Sequence, residues 1–386
     1  MAAMGEAPEK DGYDVVVVGA GVIGLACAWR IAERGLSVCV IERAATPGAG
    51  ASGVAAGMLA PVTEAEWGAQ ALLDLNLDSA ERWPAFAAEL QSASALPVGY
   101  HRNGALVVAA DRDDAEELRR LHAFQESLGL GVEWLGARAA RRLEPALSPR
   151  IAAAIHAPHE AQADPRALVA ALAAAFRSAG GEVVCGVNVT ALTGDGVATA
   201  AGVVRATQVV VAAGAWSSEL DGGAPPVRPV KGQILRLRRG AGQPPLADRL
   251  IRTPRCYVVD RLGGEVVIGA TVEERGYDQA VTADGVYRLL EAAYEVLPDA
   301  AELEWVEAAA RLRPGTPDNA PAIGRDSRDG VVWASGHYRN GILLTPITAA
   351  AVAAIVAGEQ PPSVVAPFAP ERFVRAAASA TAGSAA

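Results

Sequence analysis

The chain has 386 residues, more than one ordinary compact core encloses, so two domains are expected. Half of the residues are apolar (51%) and a fifth are charged (20%), the balance of a soluble globular protein and not of a disordered one. A formal net charge of −10 argues against nucleic acid and anionic membrane surfaces as partners, because the field of the surface repels both.

Residues 1–12 mix charges with proline and carry no apolar core, so no signal peptide is expected. Cys27, Cys39, Cys185 and Cys256 lie far apart with no CxxC pair. They read as structural thiols in a reducing cytoplasm, and no metal site is expected. The first element is a β-branched strand over 13–18, followed by Gly19 and a helix over 22–34 that Gly35 is placed to cap. A second strand over 37–42 completes a βαβ unit, which demands parallel strands and a right-handed crossover.

A Gly/Ala-rich loop covers 46–57, and a helix is expected over 64–90, interrupted near Pro84. Strand, charged helix, strand and helix follow between 104 and 144. Asp164-Pro165 opens a helix that runs to about residue 177, with Asp at the cap and Pro in the first turn. A strand is expected over 182–189 and a buried one over 209–212. From 227 to 313 the pattern becomes alternating strands with hairpin turns, such as 257–260 joined to 265–269 through Leu262-Gly263-Gly264, with one helix near 282–296. Residues 331–335 return to strand character. Residues 340–358 lack charge but contain Thr345, Pro346 and Thr348, which favours a buried helix over a membrane span.

The segment Gly19-Ala20-Gly21-Val22-Ile23-Gly24 sits between strand and helix, as a dinucleotide-binding turn requires. Gly19 permits the tight turn, Gly21 admits a pyrophosphate to the backbone, and Gly24 lets helix and sheet pack closely. Glu42 ends the second strand at the offset where an acidic side chain meets an adenosine ribose, which disfavours NADP. The fingerprint leaves FAD and NAD both open. Arg43 and the small residues of 48–58, including Ser52, suit a long ligand and tilt the choice towards FAD.

With these residues in view the chain resembles the D-amino-acid-oxidase superfamily of flavoproteins, in particular its glycine-oxidase branch linked to thiamin synthesis. The resemblance spans residues 13–373. Its carriers are DVVVVGAGVIGLACAWRIAERG (14–35), ASGVAAGMLAP (51–61), VVVAAGAWS (209–217), RLRPGTPDNAPAIG (311–324) and GHYRNGILLTPITA (336–349). It implies an α/β (α+β) protein with a Rossmann-type FAD-binding domain made of 11–90, 150–225 and 314–370. A mostly antiparallel substrate domain would comprise 91–149 and 226–313, and 374–386 would form a disordered tail.

The resemblance also distributes roles. Gly19, Ala20, Gly21, Val22, Ile23, Gly24, Glu42 and Arg43 would hold the ADP half of non-covalent FAD. Ala51, Ser52, Ala56, Gly57 and Met58 would follow the pyrophosphate towards the flavin ring, while Val189 would meet adenine. Ala213, Gly214, Trp216 and Arg311 would lie beside the cofactor. Gly336, His337, Tyr338, Arg339, Asn340, Gly341, Ile342 and Leu343 would form a glycine turn and helix start against the ring's pyrimidine end. Arg313 and Tyr257 would hold a substrate carboxylate, and Arg339 would line the same pocket.

The implied reaction is oxidation of glycine, sarcosine, D-alanine or a similar small amine, with O2 as electron acceptor and no acid–base residue required. Members of the family often form homo-oligomers. Three alternatives stay open at this point. They are a D-amino-acid oxidase or dehydrogenase, or a sarcosine-oxidase-like enzyme, of different side-chain preference; an NAD-linked dehydrogenase; and an FAD-binding assembly subunit without turnover.

Overall fold

The structure is a computed structural model that describes residues 8–10, 12–220 and 225–374. The tail expected to be disordered lies outside the described residues except for Val374. Strand β1 (Gly12–Val18), helix α1 (Val22–Ala32) and strand β2 (Val38–Glu42) form the expected βαβ unit, with β1 and β2 parallel and Val15 to Val18 in register with Val38 to Ile41.

These two strands lie inside a larger sheet. The order of its main path is Ala322–Arg325, Val331–Ser335, Gly202–Val211, β1, β2, Glu182–Cys185, parallel except between the first two. Off this path Gly196–Thr199 adds antiparallel to Gly202–Val211, and Val189–Thr193 to Gly196–Thr199. Val15 and Val17 face one core, with α1, Pro165–Ser178 and Thr345–Val356, while Val16 and Val18 face a second with Cys39, Ile41 and Trp333. Burial on both faces explains why β1 is a continuous apolar run and not an alternating one.

The second large sheet runs Glu304–Gly315, Arg228–Arg238, Glu265–Gly269, Tyr257–Asp260, Leu250–Arg252, Ala105–Ala109, Ala153–Ala157, Glu133–Gly136. It is antiparallel apart from the pairing of Leu250–Arg252 with Ala105–Ala109. Helix Ala283–Val296 covers one of its faces, and residues 54–58 of the Gly/Ala-rich loop pack on an apolar cluster of the other. The loop is therefore held between the two sheets.

Local expectations fail where tertiary contacts override a pattern. The long helix is Gln70–Ser94, starting six residues late and passing through Pro84 without a break. Trp83 and Phe86, both buried, hold it on either side of the proline, and Trp83 Nε1 donates to the Leu343 carbonyl at 2.9 Å. The residues before Gln70 are instead folded into turns around the carboxylate of Glu160.

The expected strand over 182–189 is two strands, Glu182–Cys185 and Val189–Thr193, separated at Gly186 with its positive φ of 76°. The strand expected over 209–212 begins at Gly202. The uncharged segment near the C-terminus becomes a buried helix of 12 residues, Thr345–Val356, and no helix among the described residues is long and apolar enough to cross a membrane. The four cysteines are free; burial pushes the thiols of Cys39 and Cys256 up to about 12 and about 11.

Candidate active site

A cavity of about 450 Å³ runs from the Gly19 turn to the antiparallel sheet. At its first end the backbone does the shaping. Gly19 has φ +107°, and a Cβ there would stand 2.5 Å from the Ala212 carbonyl oxygen. A Cβ on Gly24 would collide with the Gly19 carbonyl, so this glycine sets helix-to-turn packing and does not line the cavity. Gly21 caps α1 without a side-chain hydrogen bond, and the Val22 N–H donates to Ser52 Oγ at 3.1 Å. A hydroxyl resting on a helix N-terminus marks where an anionic group would be received.

Glu42 closes the strand beside this turn. Its carboxylate accepts from the Ala20 N–H and the Ala44 N–H, each at 2.8 Å, which fixes it at the cavity wall with acceptor capacity left over. Arg43 lies over the Trp216 ring, 3.3 Å from its centroid, and Trp216 stacks on Tyr277 at 5.8 Å. Val187, Asn188, Val189, Thr190 and Leu220 complete this end of the cavity.

The cavity does not stop where an ADP group would. It continues along Ala49 to Met58, past Arg311, whose Nε donates to the Ala49 carbonyl at 2.8 Å, and reaches Tyr257, Arg313 and the turn containing His337 to Ile342. An elongated ligand with a second ring system fits this path, and a lone nucleotide does not fill it. The residues present fit FAD: Gly19, Gly21, Ser52 and Glu42 could hold its ADP half, and Met58, His337, Gly341 and Ile342 line the part of the cavity left for its flavin.

Two glycines make room for the charged end. A Cβ on Gly232 would collide with the Arg313 guanidinium, and one on Gly269 with the Tyr257 hydroxyl. Arg313 Nη1 donates to the Thr271 carbonyl at 3.0 Å, and its charge acts on the Tyr257 hydroxyl. Burial, the largest influence, raises the pKa of Tyr257 and outweighs the lowering by Arg313 and Arg339, so the hydroxyl stays a proton donor. Arg339 Nη2 lies 3.6 Å from Glu64 Oε1, and that carboxylate is the main reason its pKa stands above the ordinary value.

His337 is buried and bonds Thr348 Oγ1 through Nε2 at 3.0 Å; desolvation lowers its pKa to about 3, so the imidazole is neutral. The helix expected to start beside it begins one turn later, at Thr345, and residues 341–344 form a turn.

Of the residues singled out from the sequence, Ala20, Gly24, Gly336, Asn340 and Leu343 stand behind the cavity wall, and the others line it. Gly336 has φ +75° and shapes the turn. The Leu343 carbonyl accepts from Ser79 and Trp83. Several cavity residues escaped the sequence reading, chiefly Glu64, Glu219, Leu220 and Gln279, with Tyr277 stacked behind Trp216. Glu64 falls at the start of the helix expected over 64–90, and no local pattern separates it from the neighbouring acidic residues.

The family model described as FAD dependent oxidoreductase matches residues 14–355. Glycine oxidase of Geobacillus kaustophilus is 36% identical over 371 residues, covering 94% of this chain and 97% of that protein. Its crystal structure superposes with a TM-score of 0.87 over 92% of this chain and 98% of the other. A putative thiamine biosynthesis oxidoreductase ThiO of Rhizobium etli is 36% identical over 90% of this chain and 97% of its own length. The crystal structure of an iminodiacetate oxidase from Chelativorans, 28% identical, superposes with a TM-score of 0.83 over 92% of this chain and 98% of that one. The chain belongs to the DAO family of FAD-dependent oxidoreductases.

Proposed function

We propose that this protein oxidises glycine and other small amines such as sarcosine and D-alanine, with FAD held non-covalently. The observation that carries the reading is the meeting of Arg313 and Tyr257, from separate strands of the antiparallel sheet, in the cavity that the Gly19 turn opens. When bound, FAD would supply a two-electron acceptor for hydride from the substrate α-carbon, with O2 reduced to hydrogen peroxide; water would then split the imine into oxoacid and the corresponding amine, ammonia from glycine and methylamine from sarcosine.

The protein's task is position. Arg313 offers a planar fork that matches a carboxylate, and the Thr271 carbonyl anchors one of its nitrogens so that little rotamer freedom is lost on binding. The Tyr257 hydroxyl, protonated because burial raises its pKa, donates to the same carboxylate. Arg339 lines the pocket, and the neutral His337 supports the turn without adding charge. With both carboxylate donors in one wall of the cavity, the α-carbon of a bound substrate would be restricted to a few orientations.

Non-covalent attachment is supported by the cavity wall, which includes no cysteine among the described residues, and by the absence of a cysteine before Thr316-Pro317-Asp318. Acid precipitation should leave the flavin in the supernatant; flavin in the pellet would contradict this. Reading the chain as cytoplasmic is supported by its four free thiols. A place in thiamin synthesis is supported by the relative from Rhizobium.

The test is peroxide release with glycine, sarcosine, D-alanine and D-proline, together with anaerobic bleaching of the flavin. Turnover of the small substrates is expected. A rate confined to bulky D-amino acids would overturn the substrate assignment, and colourless protein would overturn the whole reading.

A further inference from the structure

Tyr257 is surrounded by three charged groups, and two of them have the same sign. Arg313, Arg339 and Glu64 all line the cavity and all act on the Tyr257 hydroxyl. A pocket with two free guanidiniums would favour a substrate carrying two carboxylates. Glu64 alters that balance. We propose that Glu64 is a specificity-determining residue that neutralises Arg339, leaving Arg313 as the one guanidinium open to substrate and so favouring monocarboxylic over dicarboxylic amines. The inference rests on the function proposed above.

The geometry around Glu64 is built to hold a carboxylate at that point. Glu160, buried, accepts from the Val62 N–H at 3.0 Å, the Thr63 N–H at 2.7 Å and Thr63 Oγ1 at 2.8 Å. Gln125 Nε2 donates to the Val62 carbonyl at 2.9 Å, and Arg252 donates to the Thr63 carbonyl. Three separate elements thus clamp the two residues immediately before Glu64. That clamping leaves its side chain few directions other than the cavity.

Once there, Glu64 Oε1 lies 3.6 Å from Arg339 Nη2 and 3.6 Å from Arg252 Nη2. These are ion-pair separations longer than hydrogen bonds, so the carboxylate acts as a shared counter-ion and not as a locked fork. The raised pKa of Arg339, due first to Glu64 and in lesser part to Tyr338, Tyr257 and Glu66, agrees with a guanidinium whose charge is already compensated. Arg313 pairs with no carboxylate among the described residues; its Nη1 meets the carbonyl oxygens of Lys231 and Thr271, which leaves its charge for a ligand. Glu64 thus offsets the charge of Arg339 in part, shared as it is with Arg252, while no carboxylate among the described residues offsets Arg313.

The experiment uses the FAD-loaded enzyme, wild type, E64Q and E64Q/R339Q, with glycine and iminodiacetate as substrates. The ratio of kcat/KM for iminodiacetate to that for glycine should rise about tenfold or more in E64Q, the scale of one charge-assisted hydrogen bond, and mostly through KM. It should fall back in E64Q/R339Q. Titration of the flavin spectrum with acetate and glutarate, which cannot be oxidised, should show the same preference moving towards the dicarboxylate. Should E64Q fail to retain flavin, E64A provides the same comparison. An unchanged ratio, or an equal loss with both substrates, would overturn the proposal, the second outcome pointing to Glu64 as a partner of the substrate amine. Wild type that turns over no small amine would instead remove the proposed function, and the acetate and glutarate titrations would still decide the role of Glu64.

Discussion

The two ends of the cavity are built on opposite principles. At the end proposed for the ADP half the wall is backbone: Gly19, Gly21 and the N-terminus of α1 offer N–H groups and space, and the side chains that matter, Ser52 and Glu42, are fixed by that backbone. At the substrate end the wall is side chain: Arg313, Tyr257, Arg339 and Glu64 come from four distant stretches of sequence and meet on one face. A backbone site depends on conformation and fails all at once when a Cβ intrudes. A side-chain site is a sum of separable interactions and degrades in steps. Substitutions at the two ends should therefore differ in kind as well as in size.

The sharpest contrast comes from the first end. Gly24→Val should abolish flavin binding, because even a Cβ at this position collides with the Gly19 carbonyl that forms the turn. Purified protein should lack the yellow absorbance; normal flavin content would break the comparison. Next in size is Arg313→Ala, which should retain FAD and lose roughly 1.5–3 kcal/mol of substrate binding, a factor of roughly 10 to 150 in kcat/KM carried largely by KM. Equal loss of FAD in this variant would mean that the two ends are not independent.

The same contrast explains what could be read without coordinates. The ADP end was legible because its information is local: a β-branched strand, GAGVIG, a helix and Glu42 fall within thirty residues. The hairpin of Tyr257–Asp260 with Glu265–Gly269 was legible for the same reason. Arg313 and Tyr257 became candidates through resemblance alone, since spacing does not say that residues 56 positions apart share a pocket. Glu64 was hidden because its helical spacing competes with Glu160, which lies 96 positions away and folds residues 62–64 into a turn. Pro84 misled in the opposite direction: packing of Trp83 and Phe86 on both sides outweighs the lost hydrogen bond.

A smaller effect sharpens the boundary between the ends, where His337 sits. Its folded pKa of about 3 lies below the ordinary 6.5 because burial disfavours the cation. The unfolded imidazole therefore takes up a proton below pH 6.5 that the folded one refuses, and stability present above that pH is lost as pH falls towards 3. The slope attributable to this group is at most about 1.4 kcal/mol per pH unit. His337→Gln, which cannot titrate, should flatten the decline of Tm between pH 6.5 and 5 relative to wild type. Parallel curves would show that this imidazole does not control the acid limb.

The smallest expected effect is at Tyr257. Tyr257→Phe removes one hydroxyl from a carboxylate still held by the Arg313 guanidinium, so the loss should be about 0.5–1.5 kcal/mol, a factor of roughly 2 to 13 in kcat/KM. Because burial raises the hydroxyl's pKa, wild type and variant should keep a constant ratio of KM values across neutral and mildly alkaline pH. A ratio that changes there would mean the hydroxyl titrates in the working range, and the division of labour between a charged fork and a neutral donor would have to be redrawn. A loss as large as that of Arg313→Ala would carry a different message. The two residues would then act as one coupled unit, and the step-by-step behaviour expected of the side-chain end would be wrong.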